Sequence, residues 1–427
     1  MYKVFLLSML VSLLVLSSAN GASAAAVGYH MKTDVLAVGQ RVISVSVEYG
    51  NPLNGARLAG DTFSVTVDAA GDGVAVEVPI IETFVSASVD GGTPSDGKYA
   101  IIRFDPWVDP ADTRRFNEGA FLTELRDLNY NVTQKKPLMY ADGSFENASD
   151  VSIPKKGQYD NIISDFAAKS FESDGAALNY RLYTPEKRKG EKYPLVLALH
   201  GAGEAGDSNT AHITANIVAA AWAMPEVQMK HPAYVLAPQV PKSIYENGRF
   251  WADRANESRT VALIEYLLAN EPIDPARVYV SGLSMGGYGT WNMIADHPDI
   301  FAAAMPICGF FGFEKGHFGP NRPNDGNPEP VLPAPSVYSA DELKELLEPA
   351  KDLPIRIFHA ADDNMVNAEN SRTAFEALKA LGADVAYTEY PAEFSGIVSS
   401  GNPHNSWEAV YTDMDNIDWL FSNVKKR

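Results

Sequence analysis

Cysteine is nearly absent: among 427 residues there is one, Cys308. A single thiol excludes an intramolecular disulfide framework, whatever the redox state of the compartment. It stands in the apolar run Ala302-Ala-Ala-Met-Pro-Ile-Cys-Gly309, where a buried and unreactive thiol is expected. Positive charge is also scarce. The 35 Lys and Arg are outnumbered by 54 Asp and Glu, for a formal net charge of −19. That excludes nucleic acid as a partner, since neutralising phosphates takes basic surface. Long apolar runs are missing except at the start, where Lys3 precedes Val4 to Leu16 and small residues lead to Ala22-Ser-Ala24-Ala-Ala26. A charged start, a run too short for a permanent span and an A-x-A site make a secretory signal. The expectation is a signal peptide over 1–26 and a secreted or periplasmic mature protein without a stable membrane span.

Two rhythms divide the rest. From about Tyr29 to Asn147 short segments alternate with period two: Arg41 to Tyr49, Thr62 to Val67, Val74 to Val78, Phe84 to Val89 and Tyr99 to Phe104. Gly, Asp, Asn and Pro turns separate them, which predicts a β-sandwich of immunoglobulin type over 27–150. No nucleophile, base and acid cluster in this half; docking, homo-oligomer formation or substrate access is its expected work. Ser149 to Gly157 is polar and reads as a linker. Beyond it, over 158–427, strands and helices alternate. Tyr193 to Leu199 and Ala233 to Ala237 are continuous apolar runs, as in strands buried on both faces. Val278 to Ser281, Ala302 to Ile307, Ile355 to Phe358 and Ala386 to Tyr390 follow as strands, with helical patterns at Arg259 to Ala269, Ala340 to Leu347 and Asn370 to Leu381. The fold class is therefore α/β, a sheet with crossover helices behind a β-sandwich. A Pro-, Asn- and Gly-rich stretch, 316–335, interrupts it as a long loop at the edge of the active site or as solvated decoration.

The stretch Arg277-Val-Tyr-Val-Ser-Gly-Leu-Ser-Met-Gly-Gly-Tyr-Gly-Thr-Trp291 carries the chemistry. A β-branched strand runs into a glycine turn and then a helix, with Ser284 at the apex and Gly282 and Gly286 two residues to either side. This is the G-x-S-x-G elbow, in which the serine is strained and its flanking glycines avoid collision. A serine hydroxyl needs a base to take its proton, and the base needs a carboxylate to hold its tautomer. In α/β-hydrolases the order is Ser, acid, His. Of the histidines that follow Ser284, among them His317, His359 and His404, His404 alone also follows a strand-end acid. The acid belongs to the loop after Ile355 to Ala360, where spacing leaves Asp362 and Asp363 equal; Glu389 and Glu393 are more distant alternatives. His359 ends its strand and is expected to serve a local hydrogen bond. The oxyanion needs two fixed N–H donors. Met285, directly after the serine, is one; Ala202, or else Gly203, in His200-Gly-Ala-Gly-Glu204 is the other. Trp251 and Trp407 are candidates for the substrate pocket.

These residues resemble a known group. Leu199-His-Gly-Ala-Gly-Glu204, Gly282 to Trp291, His359-Ala-Ala-Asp-Asp363 and His404-Asn-Ser-Trp407 are similar to four blocks of the bacterial α/β-hydrolase esterases related to polyhydroxybutyrate depolymerases, also described as predicted peptidases. Some members carry an immunoglobulin-like domain ahead of the hydrolase domain. In that family the third block reads His-Gly-x-x-Asp with the acid last, so the resemblance implies Asp363; Ala360 departs from the family glycine. It also implies a serine acyl-enzyme mechanism without metal or organic cofactor. The expected function is a secreted serine carboxylesterase acting on short- to medium-chain esters of small molecules. A polyester depolymerase or a peptidase would use the same triad, and a binding protein on a retired hydrolase fold would show a degraded one.

Overall fold

The computed structural model describes residues 26–55, 58–117, 119–147, 152–246, 250–311, 336–392 and 400–425. The expected signal peptide up to residue 25, the loop at 316–335 and Glu393 lie outside the described residues.

The N-terminal half is built from period-two strands. A five-stranded sheet runs in the order Lys155–Asp160, Ala26–Leu36, Gly39–Leu53, Gly97–Phe104 and Ile80–Ser86. A three-stranded sheet of Val76–Glu77, Phe63–Val67 and Asn131–Gln134 lies against it. Alternation puts Val45, Val47, Tyr49, Val65 and Ile102 into the shared core, while Glu48 and Arg103 on the other face are only partly buried. The expected strand at Val74 to Val78 is only two residues long, and the one expected at Phe84 to Val89 starts earlier and ends at Ser86.

One boundary differs from expectation. The end of the supposed linker and the three residues after it form a strand, Lys155–Asp160, that pairs in parallel with Ala26–Leu36. The domain edge expected at 158 thus falls inside a strand. Its polar sequence, Lys-Lys-Gly-Gln-Tyr-Asp, is what an edge strand with one solvated face needs, and composition alone does not separate that from a linker. Asp160 locks the junction. Its Oδ2 accepts from Thr33 Oγ1 at 3.0 Å and Gln40 Nε2 at 2.8 Å, and its Oδ1 accepts from the amides of Ile162 and Ile163 at 2.9 and 2.8 Å.

The C-terminal half holds an eight-stranded sheet, in the order Phe166–Ser173, Ala176–Tyr183, Tyr234–Pro238, Tyr193–Leu199, Ile273–Leu283, Ala303–Ile307, Ile355–Ala360 and Val385–Tyr390. The first two strands are antiparallel and the remainder run parallel. Every residue of Tyr193–Leu199 and Tyr234–Pro238 is buried, because helices cover both faces. Leu195, Leu197 and Leu199 point into one apolar cluster, with Leu263 and Trp291. Val196 and Ala198 point into the other, with Trp222, Tyr411 and Leu420. Val35 of the N-terminal domain packs into this second cluster beside Ile162 and Phe166. The helices Arg254–Asn270, Ala340–Leu347 and Glu369–Ala380 fall where the apolar spacing placed them. Because the central strands are parallel, their C-terminal ends share one edge, and the loops that leave it can meet.

Candidate active site

The strand Ile273–Leu283 ends at the sheet edge, and the helix Met285–Asp296 starts one residue later. Ser284 fills the gap with φ 55° and ψ −118°, a conformation disfavoured for a side-chain-bearing residue. The flanking glycines are required by contact. A Cβ on Gly282 would sit 2.2 Å from the Gly286 carbonyl oxygen, and one on Gly286 would sit 1.9 Å from that of Leu199. Ser284 N–H donates to the Ile307 carbonyl at 2.9 Å, and its own carbonyl accepts from Tyr288 N–H at 3.0 Å. Both bonds fix the turn with the hydroxyl outward.

His404 lies in the turn Pro403–Asn405, capped by Asn402, whose side chain accepts from the His404 N–H at 3.1 Å. Its Nε2 is 3.0 Å from Ser284 Oγ, and its Nδ1 is 2.8 Å from Asp363 Oδ2. Of the two neighbouring aspartates, Asp363 faces the histidine, while Asp362 is half-buried with an Oδ1 that has no hydrogen-bond partner among the described residues. Asp363 Oδ1 also accepts from the amides of Met365 and Val366, at 2.8 and 2.9 Å. Burial works against its charge, but His404 and His359 outweigh that and hold the carboxyl well below the usual carboxylate range. The carboxylate is thus ionised and available to an imidazolium. His359 is fully buried, with Nε2 3.1 Å from Asp363 Oδ2 and Nδ1 2.7 Å from Ser371 Oγ. Its local bonding extends to the acid itself. Glu389 is bound to Arg372 at 2.7 Å and to Tyr387.

Two residues with candidate donor amides line the cavity together with this hydroxyl. Met285 opens the helix after Ser284, and Ala202 opens the short turn Ala202–Glu204 after Tyr193–Leu199. Neither N–H has an acceptor among the described residues. His200 pins that turn from within the core. Its Nδ1–H donates to the Gly201 carbonyl at 2.7 Å, and its Nε2 accepts from Val240 N–H at 3.0 Å. Burial pushes its pKa down to about 4, so the ring stays neutral in that tautomer.

A cavity of about 600 Å³ opens over Ser284. Leu283, Met285, Phe310, Met365, Val366 and Trp407 line its hydrolase side. Trp407 sits edge-on to His404, with ring centroids 5.4 Å apart. Trp251 does not belong to this lining, contrary to expectation. It is buried behind the turn, where Nε1–H donates to the His200 carbonyl at 3.1 Å and the ring packs on Gly289. Cys308 lies beneath the site, fully buried, its thiol pushed up by burial and by Asp363.

The other wall comes from the N-terminal half, which sequence reasoning left without site residues. Arg114, Phe116, Phe121 and Thr123, on and around the hairpin Arg114–Asn117 and Leu122–Leu125, line the same cavity, as does Trp107. Tyr245 holds the hairpin down, its hydroxyl donating to the Phe121 carbonyl at 2.9 Å. No periodicity marks these positions; exposed aromatics near a turn were the available signal.

Three family models match the chain: an esterase immunoglobulin-like N-terminal domain over 28–147, the esterase PHB depolymerase family over 178–317 and the prolyl oligopeptidase family over 252–414. A crystal structure of a thermostable esterase is 32% identical, with 93% of this chain and 100% of that one covered and a TM-score of 0.79. The poly(3-hydroxyalkanoate) depolymerase C of Paucimonas lemoignei is 35% identical over 124 residues, 27% of this chain and 28% of its own length. An uncharacterized secreted protein of Arthroderma benhamiae is 25% identical over 54% of this chain and 25% of its own. The chain therefore spans about a quarter of the length of these two curated relatives. Among the described residues no helix is long and apolar enough to cross a membrane.

Proposed function

The chain belongs to the serine esterases of the α/β-hydrolase fold that carry an immunoglobulin-like N-terminal domain, and we propose that it is a secreted carboxylesterase forming its acyl-enzyme on Ser284. The observation that carries the reading is the unbroken contact from Ser284 Oγ to His404 Nε2 at 3.0 Å and from His404 Nδ1 to Asp363 at 2.8 Å. Ser284 Oγ attacks the ester carbonyl while His404 Nε2 takes its proton, and Asp363 stabilises the imidazolium that results. The carbonyl oxygen, now an oxyanion, accepts from the Met285 and Ala202 N–H groups, neither of which has an acceptor among the described residues. His404 then protonates the leaving alcohol. Water, activated by the same histidine, releases the acid. Trp407 and the residues of the N-terminal hairpin form the walls against which the acyl and alcohol groups lie.

Ser284→Ala is expected to lower kcat on p-nitrophenyl acetate by at least about a thousandfold. A variant that kept most of its turnover would sink the assignment. A cavity of about 600 Å³ suits short to medium acyl chains, and a p-nitrophenyl ester series on the mature protein reads the preferred length.

A second reading, hydrolysis of a polyester, draws on the rim of the cavity. Trp107 and Phe116 line it and are 49% and 48% exposed, an apolar surface beside the serine on which an extended aliphatic chain could lie. Hydrolysis of a polyester film that falls more steeply than soluble ester turnover in a Trp107→Ala, Phe116→Ala double variant would favour this reading.

A further inference from the structure

Glu204 is the one ionisable side chain of the oxyanion turn, and the acyl-enzyme chemistry leaves it unused. It ends the turn Ala202–Glu204, three residues after the capping Gly201. A glutamate at that place can reach back to the amide of the capping residue and fix the turn's entry. Here the carboxyl lies against Gly201, whose amide favours its charged form. The Arg114 guanidinium of the N-terminal hairpin, the Asn216 side chain and His404 also favour its charged form. Tyr245 is a further titratable neighbour. Arg114 is itself tied to Asp112 at 3.0 Å and to the Ala215 carbonyl.

The packing is close. Glu204 as a residue is half-buried, yet its Oε2 is shielded from solvent and has no hydrogen-bond partner among the described residues. That oxygen is 2.8 Å from the point where a Cβ on Gly201 would sit, and the same point is 3.0 Å from Leu283 Cδ1. The Glu204 carboxyl and the Leu283 side chain thus both close on Gly201, at the strand end that feeds the oxyanion turn.

We propose that Glu204 is a positioning residue: as a hydrogen-bond acceptor it holds the Gly201 turn so that the Ala202 N–H stays aimed at the reacting oxygen. The inference rests on the acyl-enzyme reading of this pocket. Glu204 works through its acceptor oxygen and not through charge. Burial raises its pKa to about 7, against the opposing pull of Arg114, the Gly201 amide, Asn216 and His404. A neutral carboxyl still accepts at its carbonyl oxygen. Because the folded pKa lies above the ordinary glutamate value, the stability this group contributes is fully present below that ordinary range. It is lost as pH rises through about 7.

The test compares two neutral side chains of similar size in the full chain. Glu204→Gln keeps an acceptor and Glu204→Met does not. The expected result is kcat for the Gln variant within about threefold of wild type and for the Met variant at least about tenfold lower, with KM little changed in both. A packing role would be met equally by both, so equal kcat values for Gln and Met overturn the proposal. So does a large loss in the Gln variant alone, which decides the matter even if the Met variant fails to fold. Thermal unfolding adds a readout without substrate. Glu204→Gln should gain stability over wild type at pH 8 and not at pH 5, and no gain at pH 8 refutes the buried-carboxyl account. Ser284→Ala is run alongside. If it stays active, the acyl-enzyme reading has failed and this proposal falls with it; if it is dead and Gln and Met are equal, Glu204 alone has been misassigned.

Discussion

Asp362 and Asp363 are chemically identical neighbours, and only their placement distinguishes them. Asp363 is drawn inward by two backbone amides and two imidazoles, whereas Asp362 is half-buried and remote from these bonds. Removing the charge of Asp363 leaves His404 without the partner that fixes its tautomer. Asp363→Asn is therefore expected to lower kcat by about a thousandfold or more. Asp362→Asn should stay within about threefold of wild type. Steady-state kinetics on one soluble ester checks both, and equal losses would contradict the geometry. Spacing could not make this choice, because a turn of two acidic residues offers either side chain until the chain direction beyond it is known.

At the scale of the element, the elbow is where sequence and structure agree most closely. Strand, turn and helix were all legible because Gly282 and Gly286 touch backbone, and a requirement set by main-chain contact leaves its mark on residue type. Gly286→Ala puts a methyl group 1.9 Å from the Leu199 carbonyl. The expected cost is about 3 kcal/mol or more, together with loss of activity. Urea unfolding of the variant measures it, and a stability loss below about 1 kcal/mol would show that the turn can relax. The antiparallel pair Phe166–Ser173 and Ala176–Tyr183 was not legible from apolar runs, since most residues of its edge strand are exposed. The Asp174-Gly175 pair between them, with φ of 52° and 74°, was the signal that periodicity passed over.

At the scale of the molecule, the two domains share a core and a pocket. Val35 packs among hydrolase residues, Asp160 ties the last strand of the first sheet to the start of the second domain, and Arg114 reaches across to the Ala215 carbonyl. Asp160→Ala removes an acceptor of four hydrogen bonds and leaves their donors unmatched. A loss of about 3 kcal/mol is expected, with weaker protection of the Arg114–Asn117 hairpin in hydrogen exchange. Unchanged protection there would mean that the domains dock independently of this residue. The single thiol and the acidic surface were read from composition and needed no structure. The wall made by Phe116 and Phe121 had to wait for it, because these residues precede Ser284 by more than 160 positions and nothing local records what they face.

The sequence by itself determined the parts whose requirements are local: period-two strands, buried parallel strands as continuous apolar runs, glycines at the elbow, and a serine, acid and histidine in hydrolase order. Local backbone geometry and burial constrain residue type directly, so they can be read directly. Tertiary structure decided which aspartate meets His404, that Trp251 belongs to the core and Trp407 to the pocket, that Lys155–Asp160 is a strand, and that the N-terminal domain closes the site. Each of these depends on contacts between distant segments. Such contacts are fixed by the summed packing of both domains, and no single stretch of chain carries them.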